Sequence, residues 1–165
     1  VDLLGQRGHK LQVFLLGEGR HESVLRRLVR TRNLSSSVTF APPMSDLTAA
    51  MQSADIFVRP SADSEFTADG LLAMGAGLVV VTDPSILCDH VRPGETAMVC
   101  AQPTAESLAA TIDGVVNHRP EAIGLATAAM EYVREHHAVS GMADRTAAAY
   151  RRLALTRTTF AIRES

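Results

Sequence analysis

A doubly wound α/β fold, a parallel sheet with helices on both faces, is the architecture this sequence predicts. Three observations lead to it. Short apolar runs alternate with stretches of helical periodicity along most of the chain. The runs are continuously apolar, as strands are when helices cover both faces of a sheet. Each run also halts at a glycine- or proline-bearing loop before the next helical stretch, the signature of βαβ units. Right-handed crossovers wind such units around the sheet, and their ligands sit outside the carboxyl ends of the strands near the switch point.

The elements follow in order. Val1-Asp2-Leu3-Leu4 reads as the end of a helix broken by Gly5 and Gly8, so a first strand and helix are expected to lie outside this chain. Leu11 to Leu16 is a buried strand ending at Gly17-Glu18-Gly19. Arg20 to Arg32 carries Val24, Leu25, Leu28 and Val29 at helical spacing. Val38 to Phe40 is a short strand closed by Pro42-Pro43, and Ser45 is an N-cap candidate for a helix running to about Ser53. Ile56 to Arg59 is a strand, Thr67 to Ala76 a helix, and Leu78 to Val81 a strand. A short helix is expected near Ile86 to Val91, then a strand at Ala97 to Cys100. Thr104 caps a helix through about Asn117, and two more helices span Glu121 to His136 and Ser140 to Leu155. Residues 1–155 thus form one domain, and 156–165 a tail without pattern.

Composition bounds the function. A chain of 165 residues, 46% hydrophobic and with a net charge of −2, suits one soluble globular domain with a real core. Lys10 is the only lysine, and no basic excess points to nucleic acid. The longest apolar run, Leu71 to Val81, contains Gly75 and Gly77 and is far shorter than the roughly 20 residues of a membrane span. No charged segment followed by an apolar stretch and cleavage site opens the sequence. Cys88 and Cys100 lie too far apart for a metal motif, so a reducing, cytoplasmic setting is expected.

Two loops have the makings of a ligand site. Gly17-Glu18-Gly19 stands between a strand and a helix, where backbone amides approach a phosphate. Position 22, where the dinucleotide fingerprint needs a third glycine, is Glu22, so a plain tight turn is an equal reading and a nicotinamide enzyme a minor one. Ser61 to Thr67 precedes a helix whose first amides are unpaired, a place for a diphosphate or sugar hydroxyl, though on spacing alone an ordinary cap by Ser64 or Thr67 is the favoured reading. Asp63, Glu65 and Asp69 are the acids of this region. Gly70, Gly75 and Gly77 suggest close packing of helix against strand. His136-His137 falls late in a helix, where a cation is favourable. No histidine pairs with Cys or carboxylates at ligand spacing, so no metal is expected, and Ser61 and Ser64 have no identifiable base for hydrolysis.

Read together, LQVFLLGEGRHESVLRRLV, VTFAPPMSDLTAAMQSADIFVRPSADSEFTADGLLAMGAGLVVVT and HVRPGETAMVCAQPTAESLAATI resemble the C-terminal, donor-binding domain of group 1 (family 4) glycosyltransferases. The resemblance covers roughly Leu11 to Leu153. Its most specific parts are the block order, Ala54-Asp55-Ile56-Phe57-Val58-x-Pro60-Ser61, Ala73-Met74-x-x-Gly77 and Gly94-Glu95-Thr96. It implies the C-terminal half of a GT-B architecture, two Rossmann-like domains that perform retaining glycosyl transfer from a nucleotide-sugar, a UDP- or GDP-sugar, with no separate cofactor. It also implies a cytoplasmic role in carbohydrate biosynthesis, and a glycan or lipid acceptor bound by an N-terminal domain outside this chain.

The family pattern after Pro-Ser carries a glutamate that contacts the donor sugar and a second that holds the ribose hydroxyls. In the gapless register the first falls on Ser64 and the second on Leu72, so both are absent. Glu65 takes the place of the first only with a one-residue gap. The family's Gly after the second strand is Pro42, and its Gly-Gly turn appears as Asp83-Pro84, with Asp89 at the acidic position. A basic pair that grips the diphosphate belongs to a loop before Val1. The resemblance places the donor against Gly17, Gly19, Ser64, Glu65, Phe66, Thr67, Ala68 and Leu72, and leaves the catalytic residues unassigned. Two outcomes are expected: a transferase whose isolated 165-residue chain is inactive, or a catalytically degenerate relative that serves as a binding or scaffold module.

Overall fold

The computed structural model describes residues 1–43, 46–60, 68–86 and 88–161, with side chains through residue 154. In chain order the elements are α1 (Asp2–Gln6), β1 (Val13–Leu16), α2 (Glu22–Thr31), β2 (Val38–Ala41), α3 (Thr48–Gln52), β3 (Ile56–Arg59) and α4 (Asp69–Gly75). Then come β4 (Val79–Thr82), β5 (Met98–Val99), α5 (Ala105–Asn117), α6 (Arg119–His136) and α7 (Val139–Ala161). The alternation of strands and helices follows the sequence pattern closely.

Every strand pair is parallel. Ile56 to Arg59 of β3 lie opposite Val79 to Thr82 of β4, and Val81 and Thr82 lie opposite Met98 and Val99 of β5. Val13 to Leu16 of β1 lie opposite Val38 to Ala41 of β2. The ladders do not join into the single sheet that the sequence predicts: β1-β2 is one sheet and β3-β4-β5 another. Among the described residues no strand hydrogen-bonds to the second edge of β1 or of β3, so nothing bridges the two ladders.

β4 is the centre of the core. All four of its residues are buried, and alternate side chains enter opposite layers. Val80 packs with Met51, Ala73, Met74, Leu78, Ala97 and Ala129, a layer covered by α3, α4 and α6. Val79 and Val81 pack with Cys100, Val115 and Ala126, a layer covered by α5 and α6. Helices therefore lie on both faces, and the uninterrupted Leu78-Val79-Val80-Val81 run is the sequence's record of it. Full burial of each such side chain stabilises by about 1.5–3 kcal/mol.

Local signals explain the element ends. Thr104 Oγ1 accepts the Ser107 amide at 3.2 Å, the N-cap expected for α5. α4 ends in a left-handed residue, Gly77 at φ +81°. The Gly77 amide donates to Met74 O and the Leu78 amide to Ala73 O, both at 3.0 Å, which turns the chain directly into β4. Gly77 thus serves this reversal rather than helix–strand packing, and Gly75 sits against Val133 of α6 rather than against a strand. Where a helix is expected near Ile86 to Val91, the described residues hold turns at 84–85 and 89–90. Asp83 Oδ1 accepts hydrogen bonds from the amide and hydroxyl of Ser85, and such local bonds compete with a helix. Ser45 lies outside the described residues; beside it, Asp46 Oδ1 accepts the Thr48 amide at 2.8 Å, which lowers the Asp46 pKa. α7 continues to Ala161, into the segment that reads as a tail.

α1 is held to α5 by Asp113. Its carboxylate accepts from Arg7 Nη1 at 3.0 Å and lies 2.5 Å from His9 Nε2. The His9 contact first, and Arg7 second, hold the Asp113 carboxyl below the usual carboxylate range.

Met74 is fully buried beneath β4, whereas Ile123 of α6 is 59% exposed. Met74→Ala is expected to cost about 2–5 kcal/mol in urea unfolding. Ile123→Ala is expected to stay within about 0.5 kcal/mol. Similar midpoints for the two would place the core elsewhere.

Candidate functional site

Within each sheet the parallel strands send their carboxyl ends to one edge, so the loops that follow β1, β3 and β4 are the candidate ligand loops. After β1 the chain passes through Gly17, at φ +117°. Its amide donates to Ala41 O at 3.2 Å, which extends the β1–β2 ladder by one step. The amide of Gly17 is therefore engaged, and its glycine identity is set by backbone conformation. Gly19 has ordinary φ and open space around a would-be Cβ, so at that position an added methyl meets nothing. Glu18 and Gly19 are exposed, and α2 starts three residues later at Glu22.

After β3 the chain reaches Pro60, and α4 begins at Asp69 with Ala68 as N-cap. Ser64, Glu65, Phe66 and Thr67 lie outside the described residues, as does Asp63. Ala68 is exposed, and Asp69 stands in the first turn of α4. Leu72 is 51% exposed, while Gly70, Ala73 and Met74 of the same helix are buried. Leu72 thus presents an apolar side chain on the open side of α4, away from the core layer.

After β4, Asp83 is 5% exposed, and its amide donates to Arg59 O at 3.2 Å, tying this loop to the end of β3. The loop then buries His90, which is 2% exposed. The His90 ring lies against Gly70, where a Cβ would stand 3.4 Å from Nε2. Cys88 Sγ is 3.4 Å from the same nitrogen. The His137 ring meets that of His90 edge-on at 6.0 Å. Thr96 Oγ1 donates to His90 O at 2.5 Å and accepts the Arg92 amide at 2.9 Å. Tyr132 Oη donates to Asp89 O at 3.2 Å, stacks on His136, and carries the Arg92 guanidinium 4.5 Å above its ring. Residues from α4, α6 and the post-β4 loop are so locked together beside the candidate edge. Sequence reading did not find this cluster, because Asp89 and His90 lie more than forty positions from Tyr132 and His137 and share no motif with them.

Burial pushes the His90 imidazole below its ordinary value, and the charges of His137 and Arg59 act in the same direction. Burial also raises the Cys88 thiol, so the pair is a neutral packing contact rather than an activated nucleophile. Among the described residues no group of three or more His, Cys, Asp or Glu is arranged to hold a metal, and no helix is long and apolar enough to cross a membrane. A groove of about 710 Å³, lined by Glu95, Met98, Gly114, His118 and Leu125 among others, lies at the amino end of β5 rather than at the carboxyl edge.

Two predictions follow from this geometry. Gly17→Ala is expected to destabilise by about 1–3 kcal/mol, the usual cost of a forced backbone conformation. Gly19→Ala is expected to be near neutral in the same denaturant titration, and equal effects would contradict the assignment. His90 is depressed in the folded state, so the unfolded chain takes the proton first. Stability is then fully present above about pH 6.5 and is lost as the pH falls through the lower folded value. The thermal midpoint of the native protein should drop more between about pH 6.5 and 5 than that of His90→Leu; parallel curves would refute a buried neutral His90.

The arrangement has known counterparts. Sucrose-phosphate synthase from Thermosynechococcus elongatus is 24% identical over 88% of this chain, with a TM-score of 0.76. Anabaena HepE, solved in complex with UDP-glucose, is 19% identical over 90% of this chain, with a TM-score of 0.80. The C-terminal domain of a glycosyl transferase group 1 family protein, LpcC from Francisella tularensis, is 16% identical over 74%, with a TM-score of 0.66. This chain spans 39% and 43% of the first two structures and 66% of the third. At these identities the likeness is one of fold, the α/β fold of GT-B glycosyltransferases. No curated protein matches the chain in sequence. The family model for group 1 glycosyl transferases matches residues 1–118, most of the chain, and the protein belongs to that family.

Proposed function

We propose that this chain is the donor-binding part of a glycosyltransferase that takes a UDP- or GDP-sugar and transfers the sugar with retention to a glycan or lipid acceptor. The observation that carries the reading is that the loops after β3 and β4 open side by side at the carboxyl ends of parallel strands, tied by the Asp83 amide on Arg59 O, in a chain that belongs to this family. The HepE structure with UDP-glucose bound supports a nucleotide-sugar as the ligand class. In this reading Gly17 shapes the loop, Gly19 and the segment 64–68 face the sugar-diphosphate, and Leu72 lies by the ribose. Acceptor binding falls to polypeptide outside residues 1–165, so the 165-residue chain alone transfers no sugar. Cytoplasmic carbohydrate biosynthesis is the setting that fits such a donor.

One observation favours a second reading, a non-enzymatic binding or scaffold module. Leu72 is exposed on α4 at the position where the family pattern has a glutamate, and a leucine accepts no hydrogen bond from a ribose hydroxyl. The two readings separate in a titration of the chain with UDP-glucose and a GDP-sugar. Donor binding predicts saturable binding of at least one, strengthened by Leu72→Glu. A restored charge-assisted hydrogen bond is worth about 1.5 kcal/mol, a little over tenfold in Kd. No binding to either sugar nucleotide, by the native chain or by Leu72→Glu, would overturn the donor reading in favour of the module.

A further inference from the structure

The carboxyl end of β4 buries a polar group that has no partner. Thr82 is 1% exposed, and its Oγ1 makes no hydrogen bond. A buried hydroxyl left in this way opposes folding, and a valine in the same space would not. Such an orphan calls for a reason other than packing. The strand register gives it a neighbour. Thr82 lies opposite Arg59, the last residue of β3, and opposed residues of parallel strands turn their side chains to the same face. That face is the one through which Val80 and Phe57 enter the layer covered by α4. The half-buried Arg59 side chain and the Thr82 hydroxyl therefore share the α4 side of the sheet, at the edge where the loops after β3 and β4 open. His90 adjoins them, with its ring against Gly70 of α4.

The place is cationic. Burial acts first on Cys88 and His90, and among the nearby charges Arg59 outweighs Asp89 at both. Of the acids in the post-β4 loop, Asp83 is bonded to Ser85 within its own turn, and Asp89 is exposed. A guanidinium has donors only, and a threonine hydroxyl supplies one more. A group that satisfies both is an acceptor, and beside a fixed positive charge it is an anionic one.

We propose that Arg59 and Thr82 form an oxyanion subsite of the donor site, the guanidinium and the hydroxyl both donating to a charged oxygen of the sugar nucleotide. This inference rests on the donor reading. The oxygen comes from the diphosphate or from the carboxylate of an acidic sugar, which present the same paired acceptors to a guanidinium. Five donors in a fixed fork let Arg59 hold a ligand oxygen together with a protein partner. The basic pair that the family resemblance implies belongs to another loop, so Arg59 is a determinant of this chain's own. His90 is a positioning residue: it meets no ligand and holds the post-β4 loop against α4 beside Arg59.

The test is a calorimetric titration with UDP-glucose and with UDP-glucuronate, for the native chain, Arg59→Gln, Arg59→Lys and Thr82→Val. The subsite predicts that Arg59→Gln weakens binding of at least one of them about tenfold, the loss of one charge-assisted hydrogen bond. Arg59→Lys is expected to fall between, because it keeps the charge and loses the fork. An equal loss for both ligands assigns the oxygen to the diphosphate, and a loss for UDP-glucuronate alone assigns it to the sugar carboxylate. Thr82→Val separates a ligand role from a structural one. It is expected to weaken the same ligand severalfold while raising the thermal midpoint, since the hydroxyl it removes has no protein partner. Unaltered affinity in both Arg59 variants, or in Thr82→Val, would overturn the subsite and leave the donor reading standing. Binding of neither ligand by the native chain would also overturn the subsite, and the donor reading would then stand or fall on Leu72→Glu and the GDP-sugar.

Discussion

The burial of β4 is the constraint on which the rest of the structure depends. It is the one described strand hydrogen-bonded along both edges and covered on both faces. Its two side-chain layers fix where the helices go: Val80 draws α3, α4 and α6 to one side, and Val79 and Val81 draw α5 and α6 to the other. Parallel pairing on both edges then sends β3 and β5 the same way, so the loops after β3 and β4 open side by side. The amide of Asp83 bonded to Arg59 O is the first consequence of that geometry, and the burial of His90 beneath α4 is the second. Position of the candidate site is thus set by packing, before any residue of the site makes a chemical contribution.

The β1-β2 half shows what happens where that constraint is absent. Its strands pair with each other and leave apolar side chains on β1 and α2 in solvent. Asp113 is the described ionic link that ties α1, and through it this half, to α5. Exposed or partly exposed ion pairs contribute little stability. Position in this half therefore depends on apolar cover more than on charge.

Much of the fold was legible in the sequence because strands buried on both faces leave an unmistakable apolar run, as at Leu78 to Val81, and because caps such as Thr104 act over three residues. The C-terminal turn at Gly77 was legible as a special glycine, though its reason is a left-handed backbone rather than packing. What the sequence did not show was long-range. Two sheets in place of one is a property of strand edges, which carry no residue pattern of their own. The His90, His137 and Tyr132 cluster joins the post-β4 loop to α6 across more than forty residues, and nothing at either place announces it. At the candidate site the register of Pro60 and Ala73-Met74 points to Leu72, which is exposed on α4. The expectations for Ser64, Glu65, Phe66 and Thr67 fall outside the described residues.

A crystal structure of the chain soaked with UDP-glucose tests the central claim most directly, because it locates the nucleotide rather than counting it. The account predicts the diphosphate at the carboxyl edge, between the Gly17–Gly19 loop and Ala68, with the ribose beside Leu72. Nucleotide found instead in the groove at the amino end of β5, against Gly114 and His118, would contradict it.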